Sequence, residues 1–184
     1  MNFQNRPTNI PAHEALLAAN LHVLQQGLEL LAQIDDEQYT ITAGTLFAYG
    51  VGSHVRHCLD SYACFLQGAP QGCVDYDKRE RDELTARDRQ HARARIEWTM
   101  NTLRAQSADA RAWQVRQDGP HWAVSSQARE LQFLLSHTVH HYALIALILR
   151  LQGFEPGAEF GVAPATLEYW QTQQTSHAEA VCAR

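Results

Sequence analysis

An all-α four-helix bundle is the fold this sequence predicts. Two observations carry that expectation. Apolar residues recur at alternating spacings of three and four along four long segments, the stripe of a helix that buries one face. Gly, Pro and acidic pairs punctuate the chain between them, and little of it reads as strand. The 184 residues, 45% hydrophobic and 19% charged, suit one domain with a core large enough to stand without disulfides. We therefore read 1–184 as a single domain with a helical core over about 11–152.

The first helix spans about 11–34. Leu17, Leu21, Leu24, Leu28 and Leu31 form its stripe, and Pro11 suits a first turn, where no amide donor is needed. Asp35-Asp36 marks a break. The second helix spans about 46–66, with Val51, Val55, Cys58, Tyr62 and Phe65 inward, and Gly68, Pro70 and Gly72 close it. The connection over 71–83 is too charged to be core. A third helix starts near Thr85, where Thr85 and Asp88 resemble a capping box, and buries Ala92, Ile96, Met100 and Leu103 before ending at 107–110. Within 111–124, Val115 could sit in a short strand, but Gly119-Pro120 points to a loop. Ser126 caps the fourth helix, which runs to about Gln152 and is apolar over much of its circumference. Gly153 and Pro156 stop it. The remainder, 153–184, is an irregular C-terminal extension. Its aromatics over 154–170 pack back on the bundle, and its polar end frays or forms loose helix.

Charge and cysteine usage narrow the function. A net charge of −5 disfavours general nucleic-acid binding, which needs a basic face. The arginines between Arg79 and Arg95 alternate with Asp82, Glu83 and Asp88, as on a solvated helix face. Residues 1–9 lack the basic-then-apolar pattern of an export signal, and the longest apolar run, 142–149, is too short to span a bilayer. Cys58, Cys64, Cys73 and Cys182 form no CxxC pair and read as reduced thiols. A cytoplasmic protein without nucleic-acid or membrane partners is expected, with Trp170 available to a homodimer contact.

Ten histidines are the unusual feature. His137 and His141 are four apart on the fourth helix, so one face presents both imidazoles to the same point, as a divalent metal requires. The same pair also suits histidines satisfied at the edge of a core. A third ligand has to come from a facing helix, and the second helix offers His54 and His57. The helical wheel places His54 nearer the centre of the apolar stripe and His57 at its edge. Asp60 could orient an imidazole, or stand as a surface carboxylate. Glu130, seven before His137 on the same face, is a candidate for a catalytic base, or an acidic residue in a first helical turn. No Ser-His-Asp arrangement, phosphate-cradling loop or nucleotide fingerprint offers a rival chemistry.

These motifs resemble the DinB/YfiT-like family. Val51-Gly52, His57 and Leu59-Asp60-Ser61 are similar to its second-helix signature, with a small residue five before a ligand histidine. The run His137-x-x-His140-His141 is similar to its last-helix motif. The resemblance covers about 11–152 and implies a four-helix bundle with one divalent ion, Zn, Ni or Fe, on His57, His137 and His141. It also implies a metal-dependent hydrolase or a low-molecular-weight-thiol S-transferase acting on a small molecule. A non-catalytic metal-binding or stress-response protein is the alternative, and a fourth ligand from His54 or His140 would favour it. His54 departs from the family pattern, and 75–82 and 160–166 lie outside its signature.

Overall fold

A computed structural model describes residues 10–41 and 49–182. The chain is mostly helical. Helix α1 (Ile10–Gln33) is followed by a short α2 (Asp36–Thr40), α3 (Val51–Gly68), α4 (Glu83–Arg87), α5 (Arg89–Arg104), α6 (Gln127–Leu151) and α7 (Pro164–Cys182). The four long helices α1, α3, α5 and α6 pack in a closed ring, in which α1 and α3 each contact both α5 and α6. The predicted stripes fill the space between them: Leu24, Leu31, Val55, Phe65, Ile96, Leu103, Leu134 and Ile145 all lie in one buried cluster.

The Asp35-Asp36 break is a helix start. Asp35 Oδ1 accepts from the Gln38 amide and the Asp35 N–H donates to Gln38 Oε1, a closed capping box. The turn buries Tyr39, whose hydroxyl donates to the Thr85 carbonyl. The expected start of the second helix at Leu46 falls outside the described residues. Tyr49 and Gly50 are not helical, and α3 begins at Val51. Gly52 lets α3 approach α4 closely, because a Cβ there would lie 2.2 Å from the Ala86 carbonyl oxygen.

Three expectations need correction. The connection after α3 contributes to the core: Val74 and Tyr76 are fully buried. The reason is alternation, since Asp75 turns outward to pair with Arg116 while Asp77 accepts from the amides of Asp118 and Gly119. The start of α5 is capped by Asp88, which accepts from the Gln90 and His91 amides, whereas Thr85 is buried in α4 and bonds Asp82. The stretch over 111–124, read as a loop from Gly119-Pro120, instead contributes to a small sheet on the otherwise helical fold. Strands β1 (Cys73–Asp75), β2 (Trp113–Arg116) and β3 (Trp122–Ser125) form a sheet in that order, β1 parallel to β2 and β2 antiparallel to β3. Val74 pairs with Val115, and Gly119-Pro120 occupies the hairpin loop. Trp113 anchors the sheet on the bundle, fully buried against Phe65 with its indole N–H on Asp109.

Ser126 caps α6 through the Arg129 amide, as its sequence suggests. By length and composition α6 could cross a membrane, but here α1 and α3 cover its apolar side and it buries Glu130 and Thr138. The extension beyond it is helical in its second half, a correction to the irregular reading, because α7 runs from Pro164 to Cys182. Its first half does pack back. Phe160 stacks on Tyr142 at 4.7 Å, and Gly161, with φ 75°, sits so close that a Cβ would lie 2.5 Å from Ala143 N. Cys58 and Cys64 are buried free thiols, and Cys73 is an exposed one.

Candidate metal centre

The contact between α3 and α6 brings the sequence motifs together. His137 and His141 lie one turn apart on α6, and α3 presents His57 to both, with ring centroids 4.9 Å from His137 and 4.7 Å from His141. One ligand nitrogen from each of His57, His137 and His141 lies within 4.8 Å of the others. Nitrogens bound about 2.1 Å from a single ion lie at most about 4.2 Å apart, so the three imidazoles would close by some tenths of an ångström to share one. His54, a turn earlier on α3, stands beside the cluster with its Nδ1 2.9 Å from His141 Nδ1. His140 is exposed, its ring 5.2 Å from that of His141.

The chemistry of these imidazoles suits a ligand role. Burial pushes the His137 pKa down to about 4 and the His141 pKa to about 3, with neighbouring imidazoles adding to the shift. His57 is lowered too, first by burial and then by the positive fields of Arg79 and its neighbours. All three are therefore neutral near pH 7, the state in which imidazole binds metal. His137 stacks on Phe133 at 5.3 Å, and its Nε2 is buried without a hydrogen-bond partner. An unpartnered buried nitrogen is costly unless something occupies its lone pair or proton, and a metal would. Three neutral nitrogens with one such orphan fit a divalent ion of the Zn, Ni or Fe kind.

A cavity of about 600 Å³ opens on the cluster, lined among others by Tyr49, Ser53, Asp60, Arg79 and Arg81 together with His54, His57 and His141. Asp60 is buried in the wall. Its oxygens face Arg56 at 3.8 Å and the Asp82 amide at 3.5 Å, so it braces the cavity wall and does not orient an imidazole. Burial raises its pKa despite those partners. Glu130 is also buried, but both its oxygens are engaged, one by the Tyr76 hydroxyl at 3.0 Å and the other by Ser125. It joins the sheet segment to α6, the role its position in the first turn of α6 did not reveal.

Sequence reasoning missed the polar network beneath the histidines. Tyr62 on α3 donates to Asn20 Oδ1 on α1 at 2.7 Å, and Asn20 Nδ2 donates to the Leu131 carbonyl of α6 at 3.0 Å. Thr138, between the two α6 histidines, donates to the Leu134 carbonyl and lies 3.5 Å from the Tyr62 hydroxyl. This network ties together the helices that carry the cluster. A polar Asn20 inside the Leu17–Leu21–Leu24 stripe was its signal in the sequence.

Residues 4–176 match the DinB family. The chain belongs to the DinB family. It is also similar to FK506-binding protein 5 of Rhizopus delemar, at 29% identity over 54% of this chain and 28% of that protein, so the chain spans little more than a quarter of that relative's length. No solved structure matches the chain.

Proposed function

We propose that this DinB-family protein is a metal-dependent enzyme that holds one divalent ion, Zn, Ni or Fe, on His57, His137 and His141 and acts on a small molecule admitted by the adjoining cavity. The observation that carries this reading is the triad: three neutral imidazoles from two helices, nitrogens within 4.8 Å, with an unpartnered Nε2 on His137. The ion supplies Lewis acidity, the chemistry by which hydrolysis or thiol S-transfer proceeds at neutral pH. The chain's own part is to present three ligands and leave the cavity side open. Asn20, Tyr62 and Thr138 hold α3 and α6 in register, and Phe133 fixes the His137 ring. The likeness to the FK506-binding protein adds no reaction, since it covers 28% of that protein.

A non-catalytic metal-binding role is the second reading. The proximity of His54 to His141 favours it, because a fourth imidazole turned onto the ion would close the site. One experiment addresses both. The protein, purified without a His tag, is assayed for bound metal by mass spectrometry, and the cobalt-loaded form is titrated with azide. Near one equivalent of metal with an azide-sensitive cobalt spectrum supports the enzyme reading. Bound metal with an azide-insensitive spectrum supports the closed site. No uptake of Zn, Ni, Fe or Co sinks both.

A further inference from the structure

The wall of the cavity is charged in an uneven way. Three arginines line it, Arg56, Arg79 and Arg81, against two acids, Asp60 and Glu83. Both acids are committed to Arg56, Glu83 by a hydrogen-bonded ion pair and Asp60 at 3.8 Å. Among the described residues, Arg79 and Arg81 have no ion pair with a carboxylate. Two guanidiniums are therefore left facing a concave space beside His57, and low-dielectric walls concentrate their field there.

The segment that carries them is tied down at both ends. On one side Tyr76 is fully buried and its hydroxyl donates to Glu130. On the other, Asp82 accepts from Thr85 and lies 2.9 Å from His91 Nε2, while its own amide donates to Asp60. Arg79 and Arg81 thus stand on a short stretch clamped between β1 and α4, a support unlike that of an exposed charge on a free helix face. This differs from the solvated-face reading of the Arg79–Arg95 cluster, which treats all its arginines alike.

We propose that Arg79 and Arg81 bind an oxyanion of the substrate, a carboxylate or a phosphate, and so direct the rest of the molecule toward the His57–His137–His141 cluster. A guanidinium presents paired N–H donors that match either group in a bidentate fashion, which a solvated lysine does not. The proposal deepens the metal-dependent enzyme reading and rests on it for what lies at the reacting end. The anion contact itself depends on the two arginines alone.

The test follows the arginine Nε–Hε NMR resonances during titration of the protein with inorganic phosphate, with sodium propionate and with neutral propionamide. Metal content is measured on the same sample. The expected result is a saturable shift of the Arg79 and Arg81 resonances with an anion and none with propionamide. The stronger of the two anions identifies the group. In Arg79→Gln/Arg81→Gln, affinity for that anion, read from the remaining backbone amide shifts at the cavity, falls roughly tenfold or more, the size of one lost charge-assisted hydrogen bond. In Arg104→Gln, an exposed charge removed at the far end of α5, affinity is unchanged. Shifts absent with both anions, or an affinity unchanged in the double variant, overturn the anion site whatever the metal content. Shifts present in a protein that takes up no metal leave the anion site standing and sink the enzyme reading.

Discussion

His54 and His57 stand almost one helical turn apart on α3, and they meet α6 differently. His57 joins His137 and His141 within 4.8 Å, whereas His54 lies at hydrogen-bonding distance from Nδ1 of His141. With His141 donating from Nδ1, its Nε2 lone pair is free for an ion, and His54 fixes the tautomer and ring orientation. His54→Ala is therefore expected to keep near one equivalent of metal but weaken affinity on the order of tenfold, as loss of an orienting partner does. His57→Ala should lose the stoichiometry itself. Competition with a chromophoric chelator measures both, and equal loss in the two variants would make His54 a ligand. A second expectation concerns pH. Burial holds the folded-state pKa of His137 at about 4 and of His141 at about 3, below the ordinary 6.5. Between pH 6.5 and about 4 the unfolded chain takes up protons that the folded chain does not, so metal-free protein loses stability as pH falls through that window. The Tm of the chelator-treated protein should drop from pH 7 to pH 4.5. The drop should be shallower in His141→Phe, which removes one of the two groups.

The helices owe their ends to particular side chains, and two substitutions test this. Asp88 accepts from two amides at the start of α5, so Asp88→Ala should cost about 1 kcal/mol in urea unfolding. The Thr85–Asp88 pattern was legible as a helix start, but it named the wrong residue as cap. Spacing alone cannot tell a hydroxyl that caps from one that is buried and bonded to Asp82. Gly52 packs tightly against α4 and Tyr39, with Tyr39 Cε1 2.8 Å and the Ala86 oxygen 2.2 Å from a would-be Cβ. Gly52→Ala should force the two helices apart and cost about 1–3 kcal/mol, although alanine is the better helix former. A Tm equal to or above that of the parent would refute the close approach.

Across the molecule, three helices are joined by one buried polar chain. Tyr62 bridges α3 to Asn20 on α1, Asn20 reaches the α6 backbone, and Thr138 sits against the Tyr62 hydroxyl. Tyr62→Phe removes the donor to Asn20 Oδ1 and leaves that oxygen buried and unpaired. The expected cost is about 1–3 kcal/mol in chemical denaturation. Because the network spaces the two helices that carry the histidines, metal affinity should fall in the same variant, read by the same chelator competition. Unchanged affinity with lowered stability would show that the network supports the fold without positioning the ligands.

The long helices and the His137/His141 pair were legible because both depend on periodicities within one segment, 3.6 residues per turn and a spacing of four. The sheet was legible only at Val115, which suited a short strand. Its strands are three or four residues long, and β1 pairs in parallel with a β2 some 40 residues later, so no local period announces it. The charged look of 71–83 hid Val74 and Tyr76 because alternation over so few residues is easily masked by the outward-facing Asp75 and Asp77. The third histidine marks the boundary most clearly. Positions three apart on a helix differ by about 60° around its axis, so the hydrophobic stripe of α3 by itself points to His54, while the family motif points to His57. Which of them faces the α6 pair follows from the rotation of the whole helix. That rotation is set by contacts from other elements: Ala86 against Gly52, Asn20 on Tyr62, and α6 itself. A sequence encodes those contacts, but they act only between segments far apart in the chain, once the helices have packed.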